Sequence, residues 1–164
     1  MNLLQENLKR LFQQVLEKGT NEELEVLKHI LEGLNHQDRT FINRLLHMEN
    51  KKTNEGIEVK IPLNAMVNNP LNILHGGITA TVIDSAMGIL AHQSLPDGKA
   101  AVTTQLSIHY IAQGIGDFIT CQAKIEHFGS KTLLASADVF RSDGQKIAQA
   151  TGSFFIIEKR QNKK

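Results

Sequence analysis

The side chains best placed for chemistry lie in one stretch, Asn69-Pro-Leu-Asn-Ile-Leu-His75-Gly76-Gly77-Ile-Thr-Ala-Thr-Val-Ile-Asp84. If a helix begins at the two glycines, its first backbone N–H groups lack carbonyl partners. They then stand at the positive end of the helix dipole, where they can receive a carbonyl oxygen or an oxyanion. Asp84 follows Gly77 by seven residues, about two helical turns, inside an otherwise apolar run. A carboxylate in such a run is costly to bury without partners, and a role in proton transfer is one reason to keep it. A plainer reading makes His75 and Gly76 turn formers and gives Asp84 a satisfied polar contact.

Other chemistries find less support. No serine sits in a Gly-x-Ser-x-Gly elbow, and there is no phosphate-binding loop. His29, His36 and His47 are not spaced like metal ligands and fall on polar faces, which predicts solvated surface. His109 and His127 fall in strands and are expected to point outward. The lone Cys121 has no disulfide partner and no evident activating neighbour, so it reads as a small strand residue. Neither a metal nor a cofactor is expected.

These residues need a scaffold. The chain has 164 residues, 41% hydrophobic and 21% charged, an ordinary composition for one globular domain and long enough to bury a core without staples. Leu4, Leu8, Leu11, Phe12 and Val15 repeat with the helical period until Gly19. Thr20 and Glu23 then make a capping-box pattern ahead of Leu24, Leu27, Ile30, Leu31 and Leu34. A helical hairpin is expected there, while Phe41 to Met48 is ambiguous between helix and strand. From about Leu45 the pattern turns to period two. Strands are expected over 46–51 and 56–63, an irregular stretch over 64–74, and a helix over 76–95 with Ile78, Val82, Ile83, Ala86, Ile89 and Leu90 on its apolar side. Four strands follow, over 100–111, 118–128, 132–141 and 146–157. The short turns at 114–117, 129–131 and 142–145 predict antiparallel neighbours. An apolar helix beside one antiparallel sheet implies an α+β arrangement in which the sheet curls around the helix. The organisation expected is a helical extension over 1–44, a domain over 45–158 and a frayed, charged tail over 159–164.

With the elements in place, the string HGGITATVIDSAMG, the upstream Asn69, the strand VTTQLSIHYI and the closing segments GSKTLLASADVF and GQKIAQATGSFFI resemble the hotdog-fold acyl-CoA thioesterases, specifically their phenylacetyl-CoA branch. The resemblance covers about residues 45–157. It implies a helix wrapped by a sheet, two such units pairing into a continuous sheet, two dimers joined as a homotetramer, and active sites at the dimer interface. By that resemblance Gly76 N–H polarises the thioester carbonyl, with His75 and Asn69 ordering the loop and the attacking water. Asp84 from the partner subunit is general base or nucleophile, and Thr103 is the hydroxyl residue that helps hold the water. The substrate is expected along Gly77, Tyr110 and the turn Gly129-Ser130-Lys131, the alternative being a plain hairpin turn with a solvated Lys131.

The function implied is hydrolysis of an acyl- or aryl-CoA to the free acid and CoA. The same fold also serves acyl-CoA-sensing regulators and dehydratases or hydratases. A regulator that reads DNA through its N-terminal helices fits poorly, because residues 1–52 carry eight basic and eight acidic side chains. A dehydratase would pair a histidine with a helix carboxylate, but the spacing from His-Gly-Gly to Asp fits the thioesterase resemblance better. A formal charge of +1, few aromatics and no tryptophan argue against nucleic-acid binding. With no signal-peptide pattern and no long apolar run, the expectation is a cytoplasmic protein without membrane contacts, self-associating as a dimer or dimer of dimers. The N-terminal hairpin is expected to pack on a sheet face or a subunit, or to act as a lid.

Overall fold

Residues 2–159 are described by the computed structural model, and the expected frayed tail from 160 onward lies outside the described residues. The chain divides into two units, Met1–His47 with Asn64–Met66, and Met48–Leu63 with Val67–Lys164.

In the first unit, reciprocal side-chain bonds set both helix starts. The Asn2 side chain accepts from Gln5 N–H and the Gln5 side chain accepts from Asn2 N–H, opening α1 (Leu3–Lys18), which Gly19 ends. Thr20 and Glu23 do the same for α2 (Asn21–Leu34). The ambiguous stretch resolves into a short helix, α3 (Phe41–Leu45), and strand begins only at Glu49. α1 buries none of its residues, leaving Leu4, Leu8 and Leu11 at least half exposed.

The second unit consists of β1 (Glu49–Lys52), β2 (Ile57–Pro62), α4 (Gly76–Ser94), β3 (Lys99–Tyr110), β4 (Phe118–Phe128), β5 (Thr132–Arg141) and β6 (Lys146–Glu158). The six strands form one antiparallel sheet in the order β1-β2-β4-β5-β6-β3, and α4 packs against β2 through β6. Val82, Ile83, Ala86 and Met87 of α4 are fully buried against Val59, Ile61, Ile119, Leu133, Val139 and Phe154 of the core. Burying each large side chain among them contributes roughly 1.5–3 kcal/mol. Thr79, Met87 and Ala91 share the buried face of α4, whereas Ile78 and Ile89, expected there, are half-buried. At Gly152 a Cβ would come within 3.1 Å of Met87 Sδ, so glycine lets the helix lie close to the sheet.

The connection from β3 to β4 departs from the expected hairpin. β3 pairs with β6 at one edge, while β4 lies between β2 and β5. The linking segment crosses the end of the sheet and finds its hydrogen bonds on the way: Ile111 and Ala112 N–H donate to Ile147 O, Gly114 O accepts from Leu74 N–H, and Asp117 O accepts from Leu63 N–H. Among the described residues no helix is long and apolar enough to cross a membrane.

Two histidines of the first unit are not the independent surface groups expected. His29 and His47 stack, with ring centroids 3.7 Å apart. His29 Nε2 lies 2.9 Å from Leu45 O, His47 Nε2 lies 2.8 Å from His29 O, and Asn64 Nδ2 faces His29 Nδ1 at 3.3 Å. Burial holds the His29 pKa below the ordinary value; the Leu45 carbonyl opposes this, His47 adds to it, and Glu32 opposes it. A histidine with a depressed folded pKa contributes stability above its unfolded pKa, about 6.5, that is lost as pH falls through the folded value. The protection of amides in α2 and α3, taken as the intrinsic exchange rate at each pH divided by the measured one, should therefore fall between pH 7.5 and 5, and His29→Gln should flatten that dependence. Equal pH dependence in both proteins would exclude His29 as its source.

Candidate active site

His75 caps α4. Its carbonyl accepts from Ile78 and Thr79 N–H at 3.0 and 3.1 Å, its Nδ1 accepts from Gly77 N–H at 2.9 Å, and its own N–H donates to Val67 O at 2.9 Å. Of the four donors that open the helix, Gly76 N–H alone is without a partner among the described residues. The two free glycine amides expected here thus reduce to one, since the His75 side chain occupies Gly77. Tyr110 Oη donates to Gly76 O at 2.8 Å. Asn69 folds the preceding loop: its Oδ1 accepts from Leu71 N–H at 2.8 Å, and its N–H donates to Ile73 O at 2.8 Å. Asn69, Gly76, Thr79 and Tyr110 line one cavity of about 360 Å³.

A second group lies farther along α4. The half-buried Asp84 accepts a hydrogen bond from Thr103 Oγ1 at 2.8 Å. Thr103 and Tyr110 are seven residues apart, so an unbroken strand would turn them to opposite faces. The register shift between Thr103 and Gln105 corrects this parity: Thr103 pairs with the buried Phe154 and Tyr110 with the buried Ala148, both on the helix side. The turn Gly129-Ser130-Lys131 belongs to this second end, because Ile156 N–H donates to Lys131 O and Ile156 pairs with Ala101. Ser130 and Lys131 are exposed.

The ten residues singled out from the sequence therefore fall into two groups. Asn69, His75, Gly76, Gly77 and Tyr110 gather at the start of α4; Asp84, Thr103 and Gly129–Lys131 gather at the far end of β3. Gly76 and Asp84 are separated by about 12 Å of helix rise. Tyr110 and the Gly129–Lys131 turn, expected to act together, lie about 26 Å apart along β6, from Ala148 to Ile156.

The profile of the thioesterase superfamily matches residues 71–148, a span that includes both α4 and β3. A Bacillus halodurans protein crystallised with CoA is 38% identical, with a TM-score of 0.83 over 88% of this chain and 99% of that one. The chain belongs to the thioesterase superfamily. Its fold is the hotdog fold, and its reaction class is thioester hydrolysis. Acyl-coenzyme A thioesterase 13 of Mus musculus is 35% identical over 83 residues, 49% of this chain and 59% of that protein. The medium/long-chain acyl-CoA thioesterase YigI of Escherichia coli is 24% identical over 134 residues, 70% of this chain and 84% of that protein.

Two features of this thioesterase were missed in the sequence. The bulge in β3 falls at Thr103–Gln105, with no glycine or proline to announce it. The bond from Tyr110 to Gly76 spans 34 residues and has no local signal; the chain's lone tyrosine was its one conspicuous mark. Cys121 is fully buried, and burial, with a further push from Asp138, drives its thiol up to about 12, as an inert core residue requires.

The two glycines should respond differently to alanine. A Cβ at Gly76 would meet the Tyr110 ring at an ordinary 3.5 Å, whereas at Gly77 it would press on His75 Nδ1 at 3.1 Å. Thermal unfolding should show Gly76→Ala at or above wild-type stability, and Gly77→Ala about 1 kcal/mol below it through the weakened cap. The reverse order would refute this account of the helix start.

Proposed function

We propose that the chain is an acyl-CoA thioesterase whose active site is completed by two copies, each supplying one half-site. Gly76 N–H receives the thioester carbonyl oxygen as it gains charge, where a fixed donor is typically worth 10² to 10³ in turnover. Asp84 of the second copy acts on the acyl carbon or activates a water there, and the Thr103 hydroxyl orients its carboxylate. The CoA arm runs from the cavity beside Tyr110 toward the Gly129–Lys131 turn of the other copy, where Lys131 meets a phosphate. The acyl or aryl group sits against α4.

The observation that carries this reading is the separation of donor and carboxylate. About 12 Å along one helix is too far for both to act on one carbonyl, since reacting atoms must approach to about 3–3.5 Å. β3 is an edge strand that carries Thr103 and Tyr110 near opposite ends. Two such edges paired antiparallel about a two-fold axis set the Thr103 end of one beside the Tyr110 end of the other. Further association into a dimer of dimers uses the outer sheet face, where Val102 pairs with Phe155, Leu134 and Ile157 share their face of the sheet, and all four are 37–43% exposed.

The test is a panel of aliphatic and aryl acyl-CoAs hydrolysed by wild type, Asp84→Asn and Gly76→Val. Each variant should lose at least about tenfold in turnover, Asp84→Asn by removing the carboxylate and Gly76→Val by crowding the approach to an N–H that the backbone keeps. Mixing the two inactive variants by co-expression should restore roughly a quarter of wild-type activity, because half the dimers are hybrid and each hybrid has one intact site of two. No recovery in hybrids isolated by dual tags would place donor and carboxylate on one chain and defeat the shared site. Separately, Phe155→Lys should halve the particle mass measured by light scattering while leaving a dimer. An unchanged mass would remove the outer face from assembly.

A further inference from the structure

We infer that Tyr110 is a positioning residue that, with His75, clamps the Gly76–Gly77 peptide and so fixes the direction of the Gly76 N–H. The two bonds fall on opposite ends of one peptide group. Its carbonyl, Gly76 O, accepts from Tyr110 Oη at 2.8 Å, and its N–H, that of Gly77, donates to His75 Nδ1 at 2.9 Å. The preceding peptide is held as well, since His75 O accepts from Ile78 and Thr79 N–H. The Gly76 N–H lies in this preceding plane, and the clamp on the Gly76–Gly77 plane restrains the two Gly76 torsions that join them, so the N–H has no free side to swing toward.

The need for such a clamp follows from the residues it holds. Consecutive glycines have the widest backbone freedom of any pair, and at a helix start their N–H groups lack the intrahelical bonds that restrain later turns. An oxyanion donor contributes only if it is already aimed when charge develops on the oxygen, and misplacement by 1 Å can cost on the order of 10² in rate. The Tyr110 ring lies against Gly76, with Cζ 3.5 Å from where a Cβ would stand, so it braces the same residue by packing. This assigns the Tyr110 hydroxyl to the backbone of its own chain, and leaves the ring edge to the ligand cavity.

The inference rests on the reading of Gly76 N–H as the carbonyl donor, and three measurements on full-length wild type and Tyr110→Phe separate the two. The phenylalanine keeps the ring and removes only the donor. In Tyr110→Phe, kcat on an acyl-CoA should fall about tenfold or more while KM stays within twofold. Affinity for an S-alkyl-CoA, a thioether without the carbonyl, should also be unchanged. Amide exchange at Gly77, followed by NMR at constant pH, should be faster than in wild type. A tyrosine that merely supported folding would lower the melting temperature without splitting kcat from KM, and one that held CoA would weaken thioether binding; either result overturns the assignment. Unchanged exchange at Gly77 also overturns the clamp. Absence of turnover in wild type, with the thioether still bound and exchange still accelerated in the variant, overturns the hydrolytic reading of the site while upholding the clamp.

Discussion

The larger unit depends on burying α4. From Val82 to Ala91 most side chains of this helix are apolar, and Val82, Ile83, Ala86, Met87 and Ala91 have no exposed surface. A flat sheet could cover only one stripe of such a helix, so the sheet must curl and bring five strands against it. That requirement gives the strand order its sense. After α4 the chain lays β3 at one edge, crosses the sheet end, and fills the middle with β4, β5 and β6, the last returning to pair with β3. The crossing segment then borders the cavity beside Gly76 and Tyr110 through Ile111, Ala112, Gln113 and Gly114. The covering of the helix and the shaping of the cavity are thus consequences of one constraint.

A single extra residue in β3 links this scaffold to the proposed site. Both groups of candidate residues use a contact from the helix to the edge strand, Gly76 to Tyr110 and Asp84 to Thr103. Helix and strand have different periods, so two such contacts on one face are not assured by geometry. The bulge restores the match. Thr104 lies within the shift, and its hydroxyl donates to Ser153 O at 3.0 Å, replacing part of the ladder that the bulge interrupts.

Much of this was legible in the sequence because local physics decided it. The capping boxes at Asn2–Gln5 and Thr20–Glu23 are matters of a few adjacent residues, of which the second was read and the first was not. The ends of β4 and β5 were read to the residue from period-two patterning bounded by turns. What was misread required knowledge of distant partners. The link from β3 to β4 has the length of a hairpin loop, and only the competition of β6 for the β3 ladder makes it a crossing. His29 and His47 are eighteen residues apart and look like separate polar-face residues until α2 and α3 bring their rings together. Gly76 and Gly77 look equivalent until the His75 side chain takes one of their two N–H groups.

The surfaces left uncovered are related through the same strand. The sheet hides most of α4, but Asp84 remains half-buried at a point where it can reach Thr103 on the free edge. Tyr110 is 56% exposed near the other end of that edge while still bonded to Gly76. A chain pairing along β3 must therefore pass both half-sites, and an antiparallel, two-fold partner passes them in reversed order. In the proposed dimer, the separation that keeps Gly76 and Asp84 of one chain from meeting is the same separation that lets those of two chains meet, twice, across one axis. The free edge of β3, a liability that proteins usually blunt with charge or proline, is in the proposed dimer satisfied by the same pairing that would assemble the proposed site.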